Sequence, residues 1–453
     1  MWEARLPTML LFVMATLIGV ATINAYKQME LRQNALASAE KMSNQDWQQQ
    51  PDRHPHRVAH FGDFVVKPIH GLSYFEPGIL NQSGYLIFLE AHRLNGDNFN
   101  PSSEGTSLSR FQQLTPAFIL QFILPLMLII IGYSSITEER QQGTLAILKS
   151  SGYSIKRILF AKWCALFLPV AIFYCFLQSL SFIFSFHAQE IFIRLGLMIC
   201  AHLLYIALWC WIVLLVSSLC KRPYSAFLAL LLIWFMTCVL VPRGLANLAQ
   251  SIYPTHSKAI AEFQAEEKLK EIGDSHNPDD LHFAEFKAKV LAQNKVTRIE
   301  DLPFNYNGLL MQEGERLTTH VYQEQQTKHT LQVIKQAEFI DQWVWLSPAL
   351  ALQIITFATS GNDLNHHLRF IGDAENRRYA TIQYLNHLHM HEIKHDDDKN
   401  QRLSVKRWQE APRKPIQLAP LDVSRSKLIL AFFSLITTLI FLIATSYMMS
   451  NKK

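Results

Sequence analysis

Cysteine is scarce in this chain of 453 residues: Cys164, Cys175, Cys200, Cys210, Cys220 and Cys238 are all there are, and each falls in or beside an apolar block. The two long polar stretches thus have no disulfide framework, and no CxxC pair supplies the spacing of a zinc knuckle. Buried thiols acting as small apolar side chains account for all six. A GxxxxGK[ST] loop is missing as well, so nothing offers a backbone cradle and a lysine to nucleotide phosphates. HExxH, GxSxG and a pair of intramembrane aspartates are absent, which leaves a membrane-embedded protease or transferase without its reacting groups; no catalytic residue is expected. Charge is modest too, +5 from 42 basic and 37 acidic residues, too little to imply a nucleic-acid partner.

What the chain does contain is apolar sequence in blocks. Hydrophobic residues make up 49% and aromatics 11%, yet the mean hydropathy is only +0.08, as expected of membrane spans alternating with large wet segments. About 20 apolar residues at about 1.5 Å per residue cross a hydrocarbon core of about 30 Å. Six stretches meet that length, predicting an α-helical polytopic membrane protein with spans at 1–25, 114–133, 158–186, 190–219, 223–249 and 427–449. The first reads as an uncleaved anchor rather than a secretory signal, because its apolar run is longer than a signal's and lacks a clean small-x-small cleavage site at its end.

Basic residues in short loops set the orientation. Lys149, Lys156 and Arg157 follow span two, Lys221 and Arg222 follow span four, and Lys452 and Lys453 follow span six. Six crossings put these on one side, the cytoplasmic one, together with both termini and the 450–453 tail. Residues 26–113 and 250–426 then form two large, mainly helical extracytoplasmic segments. Within the first, residues 57–93 are rich in aromatic and branched side chains punctuated by glycine and proline, which predicts short strands or a compact loop cluster. In the second, apolar residues recur at near-helical spacing at Ile260, Phe263, Leu269 and Ile272, and again at Leu317, Val321, Leu331 and Ile334. Residues 343–358 are apolar but too short to span and contain Pro348. They read as an interfacial or re-entrant helix with Trp343 and Trp345 at the membrane surface, or equally as a core helix of the second segment.

The loop after span two carries the most functional information. Residues 134–157 read SSITEERQQGTLAILKSSGYSIKR: a charged entry, Gly143, an apolar turn and a basic exit. A short helix of that kind makes a knob able to dock in a partner's groove. The pattern of charges followed by Gly-Thr-Leu resembles the loop between the second and third spans of type-2 ATP-binding-cassette (ABC-2) permeases, where it forms a coupling helix. That resemblance implies that Glu138, Glu139, Arg140, Gly143, Thr144 and Leu145 contact a separate ATPase subunit present in two copies, with Leu145 filling its groove. ATP and Mg would be bound there, this chain having no cofactor of its own. It also implies a second permease, as homodimer or heterodimer, in a bacterial inner membrane.

Further stretches, HPHRVAHFGDFVVKP at 54–68, FEPGI at 75–79, FLEAHR at 88–93, LTPAFILQFILPL at 114–126, LSPALALQ at 346–353 and NHHLRF at 365–370, are similar to the permeases carrying domain of unknown function 3526, which place large segments after spans one and five. Export, or extraction of a lipophilic compound, is the activity this implies; a membrane-anchored sensor or scaffold is the alternative from another class.

Ionisable residues within spans default to functional readings. Lys162 and Arg194 are placed to snorkel to opposite interfaces, leaving His202 as the deep group, for a helix–helix hydrogen bond or for substrate. Two histidine sets remain. His387, His389, His391 and His395, followed by Asp396, Asp397 and Asp398, offer imidazole and carboxylate metal ligands at close spacing; the first three would share one face of a strand, whereas on a helix only His387 with His391, or His391 with His395, align. A solvated polar loop is the expectation, with no metal. His54, His56 and His60 read as structural.

Overall fold

In the computed structural model, which describes residues 2–91, 114–255, 257–273 and 280–450, the six apolar stretches are helices long enough to cross a membrane. Lys452, Lys453 and residues 92–113 of the first polar segment lie outside the described residues. Span one is longer than its apolar run: a single helix, Trp2–Gln48, continues as a charged rod well past the hydrocarbon. Span four, Ile191–Leu219, is the centre of the bundle, with 67% of its most apolar stretch buried inside the protein against 17% in span five. Spans one, three and six instead expose large apolar side chains such as Phe12, Ile172 and Phe441, the surface that lipid covers.

Lipid tails are as apolar as leucine, so helix association here depends on close packing and on hydrogen bonds. Two prolines show how. Each of spans two and five contains a π-helical segment, Ile119–Ile123 and Phe235–Leu240, two residues before Pro125 and Pro242. Proline has no N–H to give back to the preceding turn, and a widened turn leaves carbonyls that need other donors. The Tyr205 hydroxyl donates to Gln121 O (2.6 Å) and the Trp234 indole to Phe122 O (3.0 Å), while the Ser347 hydroxyl donates to Thr237 O (2.5 Å). The breaks in the helices thus become the points that hold the bundle together.

Residues 343–358 resolve into a turn, Val344–Leu346, and a helix, Pro348–Thr359, capped by the Ser347 hydroxyl on Leu350 N. At 12 residues it covers about 18 Å and cannot cross a bilayer. Its packing is that of a core helix. Ala351, Leu352, Ile355 and Ala358 are fully buried in the same core as spans two, four and six, and only Trp343 and Trp345 remain exposed. We call it the plug helix.

The two polar segments, far apart in sequence, meet at one end of the bundle and form one helical head. Within the first, strands β1 (Asp63–Val66) and β2 (Leu86–Leu89) pair antiparallel with Asp63 opposite Leu89. Within the second, Tyr306–Gln342 and Leu364–Glu392 form a long antiparallel pair. Their close approach needs Gly308, where a side chain would run into the backbone of Met390. The contact face is partly polar: Glu315 and Arg378, both buried, form an ion pair joined by Thr319. Val321 is buried as its spacing predicts, but Leu331, Ile260 and Phe263 are exposed. The rod of span one is fastened to the head where the Trp47 indole donates to Trp408 O (2.9 Å) and Arg413 stacks over Trp47 at 4.3 Å.

Candidate functional sites at the two ends of the bundle

At the end opposite the head, residues 134–157 fold as two short helices, Thr137–Gln141 and Thr144–Ser150. Gly143 between them has a φ of 77°, in the left-handed region that a side chain disfavours, and the reversal there makes a compact knob. The knob is braced from below. Arg140 donates to the carbonyls of Cys220 (2.5 Å) and Ser218 (2.7 Å), satisfying the last turn of span four. Glu139 pairs with Lys162 of span three (2.7 Å), and the Thr144 hydroxyl donates to Glu139 O (3.1 Å). Ser217 accepts from Ile136 N at 3.0 Å.

Leu145 is placed differently from the groove-filling role expected of it. It is buried among Ile136, Ile158, Leu159, Trp211 and Leu214 of its own chain, because the turn at Gly143 rotates that side of the second helix onto the bundle. The exposed apolar residue is Ile147, 64% exposed, flanked by exposed Gly143, Thr144, Ala146 and Lys149. Glu138 is half-buried and accepts from the Gln142 amide (3.1 Å). Of the six residues singled out in the sequence, Glu139, Arg140 and Leu145 fix the knob, and Gly143 and Thr144 lie on its outward face.

Lys162 and Arg194 do not snorkel freely. Lys162 is spent on Glu139, and Arg194 is 0% exposed beneath the head. Its guanidinium donates to Ala358 O (3.3 Å) and Thr359 O (3.4 Å), the last carbonyls of the plug helix, and to Ala419 O (3.0 Å), with Glu190 as its counter-ion (2.9 Å). A cation at a helix C-terminus complements the dipole there. Beside it, the Glu76 carboxylate accepts from Gly78 N (3.1 Å), from the Gln121 amide of span two (3.1 Å) and from the Thr356 hydroxyl of the plug helix (3.2 Å). The Asn362 amide donates to Glu76 O and to the Ser73 hydroxyl. Burial pushes the Glu76 carboxyl up to about 7, and burial together with Arg194 pushes His70, which caps the turn Gly71–Tyr74, down to about 4. The plug helix is thus tied at its start to span five, at its middle to span two and at its end to span four.

His202 stacks on Tyr174 of span three (5.0 Å) and meets Phe75 edge-on (5.7 Å), with Nδ1 at 2.9 Å from Met198 O of its own helix. It packs a helix junction and makes its hydrogen bond within span four rather than between helices. His387, His389 and His391 lie in the helix Leu364–Glu392, not a strand, so they divide. His387 and His391 are exposed neighbours with rings 4.4 Å apart, whereas His389 is buried on the other face. There it meets His54 and Asp398, a juxtaposition that sequence alone does not reveal.

Among curated proteins none matches the chain. A family model described as ABC-2 family transporter protein matches residues 6–285, and one described as domain of unknown function (DUF3526) matches residues 259–413. The first covers all of spans two to five and the knob between spans two and three, so that six-span bundle, plug and head together belong to a multi-pass membrane protein of the ABC-2 transporter family, whose members generally work with an ATPase subunit.

Proposed function

We propose that the chain is the permease subunit of an ATP-driven transporter and that the knob at residues 134–157 is the surface on which the ATPase acts. The observation that carries this reading is the knob's two-sided construction: an outward face of Gly143, Thr144, Ala146 and Ile147 on an inward brace of Arg140, Glu139 and Leu145. A surface patch braced to two spans passes on a push, whereas a loose connector absorbs it. When ATP and Mg bind and close a pair of ATPase subunits, force on the outward face reaches span three through Glu139–Lys162 and span four through Arg140. Two permeases, alike or different, would enclose the pathway in a bacterial inner membrane, with both termini cytoplasmic and the head outside. Export, or extraction of a lipophilic compound from the membrane, suits a chain whose head closes over its own bundle.

The test is co-purification of the detergent-solubilised chain with the products of its neighbouring genes, assayed for an ATPase. Ile147→Asp is expected to abolish association and stimulated ATP hydrolysis while the chain alone melts at the wild-type temperature. Leu145→Ala is expected to lower the melting temperature, by a loss of about 2–5 kcal/mol. Full association in Ile147→Asp, or no ATPase bound to wild type, would put the sensor or scaffold reading ahead.

A further inference from the structure

We propose that the head holds a divalent transition-metal ion of the zinc type between His54, His389 and Asp398. The proposal stands on the head's own geometry, whatever the bundle transports. Three elements supply the ligands. His54 precedes the short helix Pro55–Ala59, His389 occupies the last turn of Leu364–Glu392, and Asp398 opens a turn just after it. One donor atom from each lies within 4.8 Å of the others. Both imidazole Nε2 atoms are aimed at the same carboxylate oxygen, Asp398 Oδ1, at 3.1 Å from His54 and 2.9 Å from His389, and the rings stand edge to face at 4.4 Å.

Ligands at about 2.1 Å from a tetrahedral ion are about 3.4 Å from one another, so each nitrogen-to-oxygen distance needs to lengthen by only about half an ångström or less to admit one. Two imidazoles and a carboxylate form the donor set of zinc and related ions rather than of calcium or magnesium, which prefer all-oxygen shells.

The surroundings meet the further demands of such a site. Both histidines are buried, and the second carboxylate oxygen, Asp398 Oδ2, is held by the Asn307 amide at 2.7 Å, the outer-shell contact that orients a ligating carboxylate. A ligating Nε2 needs its lone pair, so the neutral ring must carry its proton on Nδ1. His389 Nδ1 is buried without a hydrogen-bond partner, so it is open to that proton, at the cost of a buried N–H without an acceptor unless a water accepts from it. In His54 the same shift gives up the capping contact from His56 N to Nδ1 at 3.3 Å and sets two donors against each other, so the ring has to turn away from His56 N. Each ring changes tautomer and no net proton is released.

The carboxylate of Asp398 is held by side chains from three separate places in the head, His54, Asn307 and His389. The three ligands also line a cleft of about 850 Å³ with Arg57 and Lys287 on its wall, which gives an ion a route in and leaves a fourth position for water or an anionic group.

The test uses the full-length chain in detergent, stripped with a chelator, re-equilibrated with Zn²⁺ and desalted, with metal counted by mass spectrometry and melting followed with and without zinc. Wild type is expected to retain one zinc per chain and to melt higher with it. Asp398→Asn and His389→Gln should lose both effects, while the double variant His387→Ala, His391→Ala retains them. Equal zinc in Asp398→Asn, or loss only in the His387/His391 double variant, would mean a surface ion and overturn the site. Should the ligand variants fail to fold, Asn307→Ala carries the test: its zinc affinity should fall by at least about 10-fold, and an unchanged affinity overturns the proposal equally.

Discussion

Glu76 and His70 sit at the foot of the head, and their titrations oppose one another. Glu76 is held up at about 7, so the stability tied to its neutral form is complete at low pH and is lost as pH rises from its usual 4.5 through 7. His70 is held down at about 4, so its contribution is complete above its usual 6.5 and is lost as pH falls through 4. Shifts of similar size and opposite sign largely cancel in wild type, and single variants are needed to see either. Glu76→Gln keeps a neutral group that can still accept from Gly78 N. Its melting temperature is expected to gain on wild type steadily from about pH 5 to about pH 8, with the variant the more stable at the upper end. A difference independent of pH would show that Glu76 is ionised throughout.

Among the elements, the plug helix is cross-linked to spans two, four and five, and Arg194 is its anchor. Arg194→Ala would leave the carbonyls of Ala358, Thr359 and Ala419 and the carboxylate of Glu190 without their donor. The expected loss is about 3–5 kcal/mol, read as a lowered melting temperature, and Arg194→Lys should restore little because one ammonium cannot span the same fork. This element also marks how far sequence reading reaches. The six spans were legible because burial in lipid demands long apolar runs. Residues 343–358 were not assignable in the same way, since an apolar helix suits lipid, membrane surface and protein core alike, and only contacts with Ile355 and Ala358 decide between them. Leu145 illustrates a second limit: its neighbours Trp211 and Leu214 come from a distant span, so no local period tells that it faces inward. A third is His389, whose alternation with His387 and His391 suits a strand, while its real partner, His54, lies 335 residues away (389 − 54).

For the whole molecule, the proposed orientation makes a direct prediction about which surfaces water-soluble reagents reach. In a cysteine-free background, Glu410→Cys in the head is expected to react with a membrane-impermeant thiol reagent on intact cells whose outer membrane has been made porous. Ile147→Cys on the knob should react only after the inner membrane is opened. The reverse pattern would invert the molecule and move the knob out of reach of any cytoplasmic ATPase.

Span one adds a mechanical consequence. Its 47-residue helix is about 70 Å long, of which roughly 35 Å lies beyond the hydrocarbon. A tilt of about 5° inside the bilayer would sweep the far end, near Trp47, sideways by about 3 Å. Tilted in this way the helix would work as a lever arm, and a small displacement between spans would reach the head at Trp47 and Trp408 as a larger one.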